Sequence, residues 1–215
     1  MIRVTSLFTL VILMLSCCCG PTAPTDFTAE ELALIQQKGI MRVLTIEDSL
    51  DLGVLRSTSS DMSKSALVSE DYTTLCSLMV ATVTHPSQDG VGIAGPQVGL
   101  NRRVVAVQRF DKEGEPFEVY PNIRIVWASD SMEPGPEGCL SVPSRRGEVL
   151  RSQEIEIEYD VIEAGGEAGC STECGTGVSA SAKIRTVREK VSGFTAVIFQ
   201  HEIDHLEGVL YIDRL

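Results

Sequence analysis

Histidine is scarce in this 215-residue chain, with three in all, so any two found together merit attention. Aromatic residues make up 5% and include a single Trp. No stacking platform for single-stranded nucleic acid is therefore evident. Basic residues are also few, 18 Lys and Arg against 30 Asp and Glu, for a net charge of −12. A phosphate backbone needs a basic surface, so nucleic acid is excluded as a partner. The acidity itself reads as a solubility feature. No internal repeat is present. No apolar run reaches the roughly 20 residues of a membrane-spanning helix. The hydrophobic fraction, 43%, is that of an ordinary globular protein, and the length allows one domain with a real core.

The seven cysteines are unevenly placed. Cys17, Cys18 and Cys19 form a run, Cys76 and Cys139 stand alone, and Cys170 and Cys174 make a close pair. This is not a disulfide framework for a whole fold. The opening MIRVTSLFTLVILMLSCCCG has one basic residue, Arg3, then an apolar run from Leu7 to Leu15, the shape of a secretory signal. With the cysteine run and the following Pro21–Thr25 stretch, it resembles a bacterial lipoprotein signal in which Cys17 or Cys18 is lipidated. The division expected is a leader over 1–19, a stiff tether over 20–27 and a single catalytic domain over 28–215. The expected location is the cell envelope, held by that lipid, with the cytoplasm as the alternative.

The chemistry concentrates in SGFTAVIFQHEIDHLEG, which reads as one helix with Ser192 as N-cap and Gly208 as stop. His201 and His205 are four residues apart and share a face one turn apart. Two imidazoles at that spacing can grip one divalent metal, and Glu202 beside them can handle the proton of a water that the metal activates.

Thr28-Ala29-Glu30-Glu31 is a capping box opening a helix over Glu31 to Gln37, ended by Gly39. MRVLTIEDSLDLGVLRSTSSDM reads as mixed strand and turn. A second helix starts near Ser69, with Tyr72, Leu75, Met79 and Val83 as its core stripe and Cys76 as inert packing. His85 reads as a loop residue. The glycines of GVGIAGPQVG demand a sharp turn or a close approach. RRVVAVQRF is a strand, and FEVYPNIRIVWAS is a strand pair broken near Pro121-Asn122. Cys139 falls in a Gly-flanked turn feeding a short strand. QEIEIEYDVIE alternates as a half-buried strand does. AGGEAGCSTECGTGVSASAK reads as a surface loop or hairpin tip, and VLYIDRL as a last short strand.

Two histidines leave a metal site incomplete, since a catalytic site usually has three protein ligands. Only ten residues follow His205, Glu207 is on the wrong face and Asp213 lies in the final segment. The third ligand should come from upstream, and Cys139 is the best candidate because a metal stabilises its thiolate.

Three stretches together resemble peptide deformylase: Gly90-Val-Gly-Ile-Ala-Gly-Pro-Gln97, Glu137-Gly-Cys-Leu-Ser141 and His201-Glu-Ile-Asp-His205. They stand in that family's order, and the resemblance covers roughly Ile40 to Leu215. It implies an α+β fold, antiparallel strands wrapped around the metal-bearing helix with one or two N-terminal helices outside. It implies hydrolysis of the N-formyl group of formylmethionyl peptides by a monomer, at one divalent metal held by Cys139, His201 and His205. That metal is typically ferrous iron, with zinc, nickel or cobalt as substitutes. Glu202 is implied as general base and acid, and Gln97 and the Leu140 N–H as oxyanion donors. Gly92 is implied beside the substrate backbone, Arg146 near the substrate and holding Glu137, and Val197 and Ile198 along a methionine pocket.

The chain departs from the family at Gly95, where Ala is usual, implying a looser loop. It departs again in the Cys170/Cys174 segment, which looks inserted, and in ending after the last strand. The alternatives are a lipoprotein that binds formyl peptides without turnover, and an amide hydrolase for another N-acyl group. A pure binder needs neither Glu202 nor Gln97.

Overall fold

A computed structural model describes residues 23–163 and 182–215. Cys17, Cys18, Cys170 and Cys174 lie outside the described residues, and so does the leader. The elements are α1 (Ala29–Ile35), α2 (Ser49–Leu55), α3 (Lys64–Leu67), α4 (Glu70–Val83), β1 (Gly92–Ala94), β2 (Val104–Gln108), β3 (Phe117–Pro121), β4 (Arg124–Ala128), β5 (Met132–Cys139), β6 (Val142–Ser152), β7 (Glu154–Glu163), β8 (Lys183–Ser192) and α5 (Gly193–Leu206). Every strand pairing is antiparallel, in sheets ordered β1-β2-β3, β4-β7-β8 and β5-β6. The α+β expectation holds. Among the described residues no helix is long and apolar enough to cross a membrane.

Helix α5 is the centre of the molecule. Its residues from Ile198 to Leu206 are all buried. Phe199, Ile203 and Leu206 share one core with Val105, Val107 and Tyr120 of the first sheet and Ile155, Ile157 and Val191 of the second. A helix enclosed on both sides holds its side chains in fixed directions, which a catalytic group needs. The stripe of α4 (Tyr72, Leu75, Met79, Val83) fills a second core with α1, α3, Ile93 and Val104.

Several elements differ from the sequence reading. The region from Met41 to Met62 carries α2, capped by Asp48, whose side chain accepts from the N–H groups of Leu50 and Asp51. The Thr28 capping box is present, but its helix runs Ala29–Ile35, two residues earlier at each end than expected. Ser192 caps α5 by position without a side-chain hydrogen bond. Strand β8, given no range from the sequence and implied only by the hairpin alternative, pairs with β7 along its whole length. Cys139 ends a long hairpin strand rather than sitting in a turn before a short one. Pro134 and Pro136 are two apart in β5, so both missing N–H groups fall on its open edge and the β6 ladder survives. The final segment is a 3-10 turn over Tyr211–Arg214, because the Asp213 carboxylate accepts from the Leu210 N–H at 2.8 Å and pairs with Arg56. The stretch expected as tether is docked from Thr25 onward, bridging to Met62.

Candidate metal centre and cleft

The three expected ligands converge. Cys139 comes from the tip of the β5–β6 hairpin, His201 and His205 from one face of α5, and one ligand atom of each lies within 4.8 Å of the others. Cys139 Sγ stands 3.2 Å from His205 Nε2. His201 donates through Nδ1 to Glu137 Oε2 at 2.8 Å, which leaves Nε2 as its ligand atom. A carboxylate behind a ligating histidine fixes its ring and tautomer. Tyr211 stacks on the same ring at 6.0 Å.

Glu137 is itself held, though by a different arginine from the one expected. Arg151 donates to it through two nitrogens, at 2.7 and 3.0 Å, and through a third to Asp204 at 2.7 Å. Arg146 makes no such bond; it lines the cleft. Strand parity explains the exchange. Arg151 shares the inward face of β6 with Val149, and Arg146 points the other way. Arg214 pairs with the far side of Asp204. Arg151 and Asp204 were both missed from the sequence, since their partnership depends on the β6 register.

Burial pushes the Glu202 carboxyl up to about 7, against the pull of His201. Burial also raises Glu137, but its bonds from His201 and Arg151 outweigh this and hold it at about 2. The histidines move in opposite directions. Burial lowers both, but the Cys139 sulfur, Glu137 and Glu202 draw His201 up to about 10, whereas the charge on His201 drives His205 further down. Among the described residues Glu202 Oε2 and His205 Nδ1 are buried without a hydrogen-bond partner, so the centre is built for more than its own side chains. A soft thiolate with two imidazoles suits a borderline transition ion.

Gln97 is anchored by its carbonyl oxygen, which accepts from the Ala94 N–H at 2.8 Å. Its amide nitrogen is thereby aimed at Cys139 Sγ, 3.5 Å away, and at Ser141 Oγ, 3.2 Å away. Gly92 lies directly against Glu202. A cleft of about 880 Å³ brings together Gly92, Gln97, Cys139, Leu140, Arg146, Val197, Ile198, His201 and Glu202. Every site residue expected from the sequence except the enclosed His205 lines it. The loop at Gly95 is tight rather than loose: a Cβ there would stand 2.7 Å from the carbonyl oxygens of both Leu100 and Arg102. His85 is exposed and bonded to Ser87, away from the site.

A buried carboxylate beside a Cys/His/His centre, at the wall of a cleft, defines a metal-dependent hydrolase. The polypeptide deformylase family model matches residues 40–168 and 179–215. The chain is 33% identical over 172 residues to a peptide deformylase of Leptospira biflexa, covering 75% of this chain and 82% of the relative. It is 33% identical over 178 residues to one of Caulobacter vibrioides, covering 82% and 88%. Among solved structures it resembles the actinonin-bound class I type b peptide deformylase of Acinetobacter baumannii, with TM-score 0.62, 31% identity and coverage of 82% and 98%. A Met-Ala-Ser-bound structure of that protein matches with TM-score 0.64, 30% identity and coverage of 83% and 100%. The chain belongs to the polypeptide deformylase family and is a metal-dependent enzyme with deformylase activity.

Proposed function

We propose that the chain hydrolyses the N-formyl group of N-formylmethionyl peptides, with Glu202 as the proton-transferring residue and Cys139, His201 and His205 as the ligands of ferrous iron. The observation that carries this is Glu202 itself: a buried carboxyl raised to about 7, one oxygen unpartnered, at the wall of the cleft. Held by Cys139, His201 and His205, the metal would supply Lewis acidity and lower the pKa of a water. Glu202 takes a proton from the attacking water and delivers one to the leaving nitrogen as the amide C–N bond breaks, so the products are formate and a free amine. The Gln97 amide nitrogen and the Leu140 N–H donate to the oxyanion. Glu137, braced by Arg151, keeps His201 oriented. Gly92 admits the substrate backbone, and Val197 and Ile198 take the methionine side chain.

The leader composition supports export and lipid anchoring through Cys17 or Cys18, ahead of one catalytic domain. Labelling with radioactive palmitate, lost in the Cys17→Ser/Cys18→Ser double variant, tests that part. The chemistry is tested by formate release from formyl-Met-Ala-Ser by anaerobically purified, iron-loaded protein. Glu202→Gln should abolish release with iron still bound; full turnover in that variant would overturn the assignment.

A further inference from the structure

Arg145 and Arg146 are set apart from the other arginines. Among the described residues, every other arginine has a carboxylate within ion-pair distance. Arg145 and Arg146 have none, in a chain of net charge −12, and both line the cleft. Their guanidinium groups are thus available to a carboxylate brought from outside the fold.

The backbone places both residues at the cleft. The β5–β6 register passes from Gly138↔Arg146 to Cys139↔Val142, so Pro143, Ser144 and Arg145 are looped out of the ladder. Ser144 takes a left-handed φ of 60°, a conformation unusual for a residue with a side chain. Bulges of this kind re-aim side chains beside active sites. Here the bulge lies on β6 opposite the step from Gly138 to the Cys139 ligand, and Ser144 and Arg145 line the cleft with Arg146. The carboxylates of that lining are Asp89, on the loop after α4, Glu137, already bound by Arg151, and the buried Glu202.

We propose that Arg145 and Arg146 form a subsite for the free C-terminal carboxylate of a short formylated peptide. The inference rests on the deformylase reading of the cleft. Guanidinium groups recognise carboxylates through paired N–H donors, and a peptide of a few residues brings its carboxylate within a few extended-residue lengths of its formyl group. A long chain has its carboxylate far away and gains nothing from the pair. The subsite therefore selects free short peptides over long polypeptides.

The test compares formyl-Met-Ala-Ser with its C-terminal amide, using the iron-loaded full chain in detergent. The acid should have a kcat/KM about 5- to 10-fold higher at low salt, expressed in KM, as fits solvent-exposed charge contacts. The ratio should fall to about 1 in Arg145→Gln/Arg146→Gln and to an intermediate value in Arg145→Gln alone. Equal kcat/KM for acid and amide in the unsubstituted protein, or a ratio that survives the double substitution, overturns the proposal. If neither peptide releases formate, the deformylase reading fails first. Calorimetry with unformylated Met-Ala-Ser and its amide on zinc-loaded protein then decides the subsite: tighter binding of the acid supports it, and equal affinity overturns it.

Discussion

Gly92 and Glu202 occupy adjoining space that leaves no room for a methyl group. A Cβ on Gly92 would stand 2.5 Å from Glu202 Oε1 and 2.9 Å from its Cδ and Cγ. The glycine is therefore part of how the carboxylate is positioned, and Gly92→Ala should move Glu202 rather than unfold the protein. A displacement of about 1 Å at a catalytic group costs on the order of 100-fold in rate. Formate release should fall by about that factor in Gly92→Ala, with bound iron and thermal midpoint close to those of the unsubstituted protein.

Glu137→Gln keeps the shape of the side chain but removes the charge that faces both His201 and Arg151. Losing such an outer partner of a ligating histidine typically weakens metal binding about 10- to 100-fold. Competition with a chelator, followed by zinc release, should show a loss of this size. Unchanged zinc affinity would mean that the Glu137–His201 bond does not orient the ligand.

Gly95→Ala should destabilise the fold. The added Cβ would meet two backbone oxygens at 2.7 Å, and backbone cannot swing aside as a side-chain end can. Overpacking of this kind costs about 1–3 kcal/mol. A urea titration should give a lower midpoint. A midpoint equal to or above that of the unsubstituted protein would show that the loop has slack.

Glu189 offers a pH test remote from the metal centre. Burial raises its carboxyl, but its bond from the buried Arg109, 2.6 Å away, outweighs this and holds it below the usual carboxylate range. A carboxyl lowered in the folded state stabilises above the unfolded value of about 4.3, and that contribution fades as pH falls through the folded value. The stability advantage over Glu189→Gln should therefore be constant from pH 7 to 5 and shrink below pH 4. Urea midpoints at pH 7, 5 and 3.5 measure it. An advantage undiminished at pH 3.5 would dissociate it from the ion pair.

What could be read beforehand depended on whether the signal was local. The stripe of α4, the two-histidine frame of α5, the alternation of β7 and the break at Pro121-Asn122 are written in neighbouring residues, and all are found in the fold. Asn122 takes a left-handed φ of 54° at that break. Helix α2 escaped because Gly53 lies within it and its order comes from the Asp48 cap and from Arg42 gripping Asp51 across the chain. Strand β8 escaped because its residues are mostly exposed or half-buried and heavily charged, so no apolar alternation marks it. The exchange of Arg146 for Arg151 has the same origin. Arg145, Arg146 and Arg151 lie within seven residues, and only the hairpin register decides which one reaches Glu137.

Arg102 gives the front end of the chain a mechanical meaning. It is 3% exposed and holds Glu31 through two nitrogens, at 2.6 and 2.7 Å, the Thr25 hydroxyl at 2.7 Å and the Asp26 carbonyl at 2.7 Å. The family-model match begins at residue 40, yet this guanidinium finds its carboxylate and its shortest bonds among residues 25–31. Trimming the chain to the matched part would remove the carboxylate partner of Arg102 and uncover its guanidinium, leaving it the Ser60 hydroxyl and the Asp61 carbonyl, each at 3.4 Å. Force applied ahead of Thr25 would likewise be borne by the interior beside β2, and not by a loop that could give.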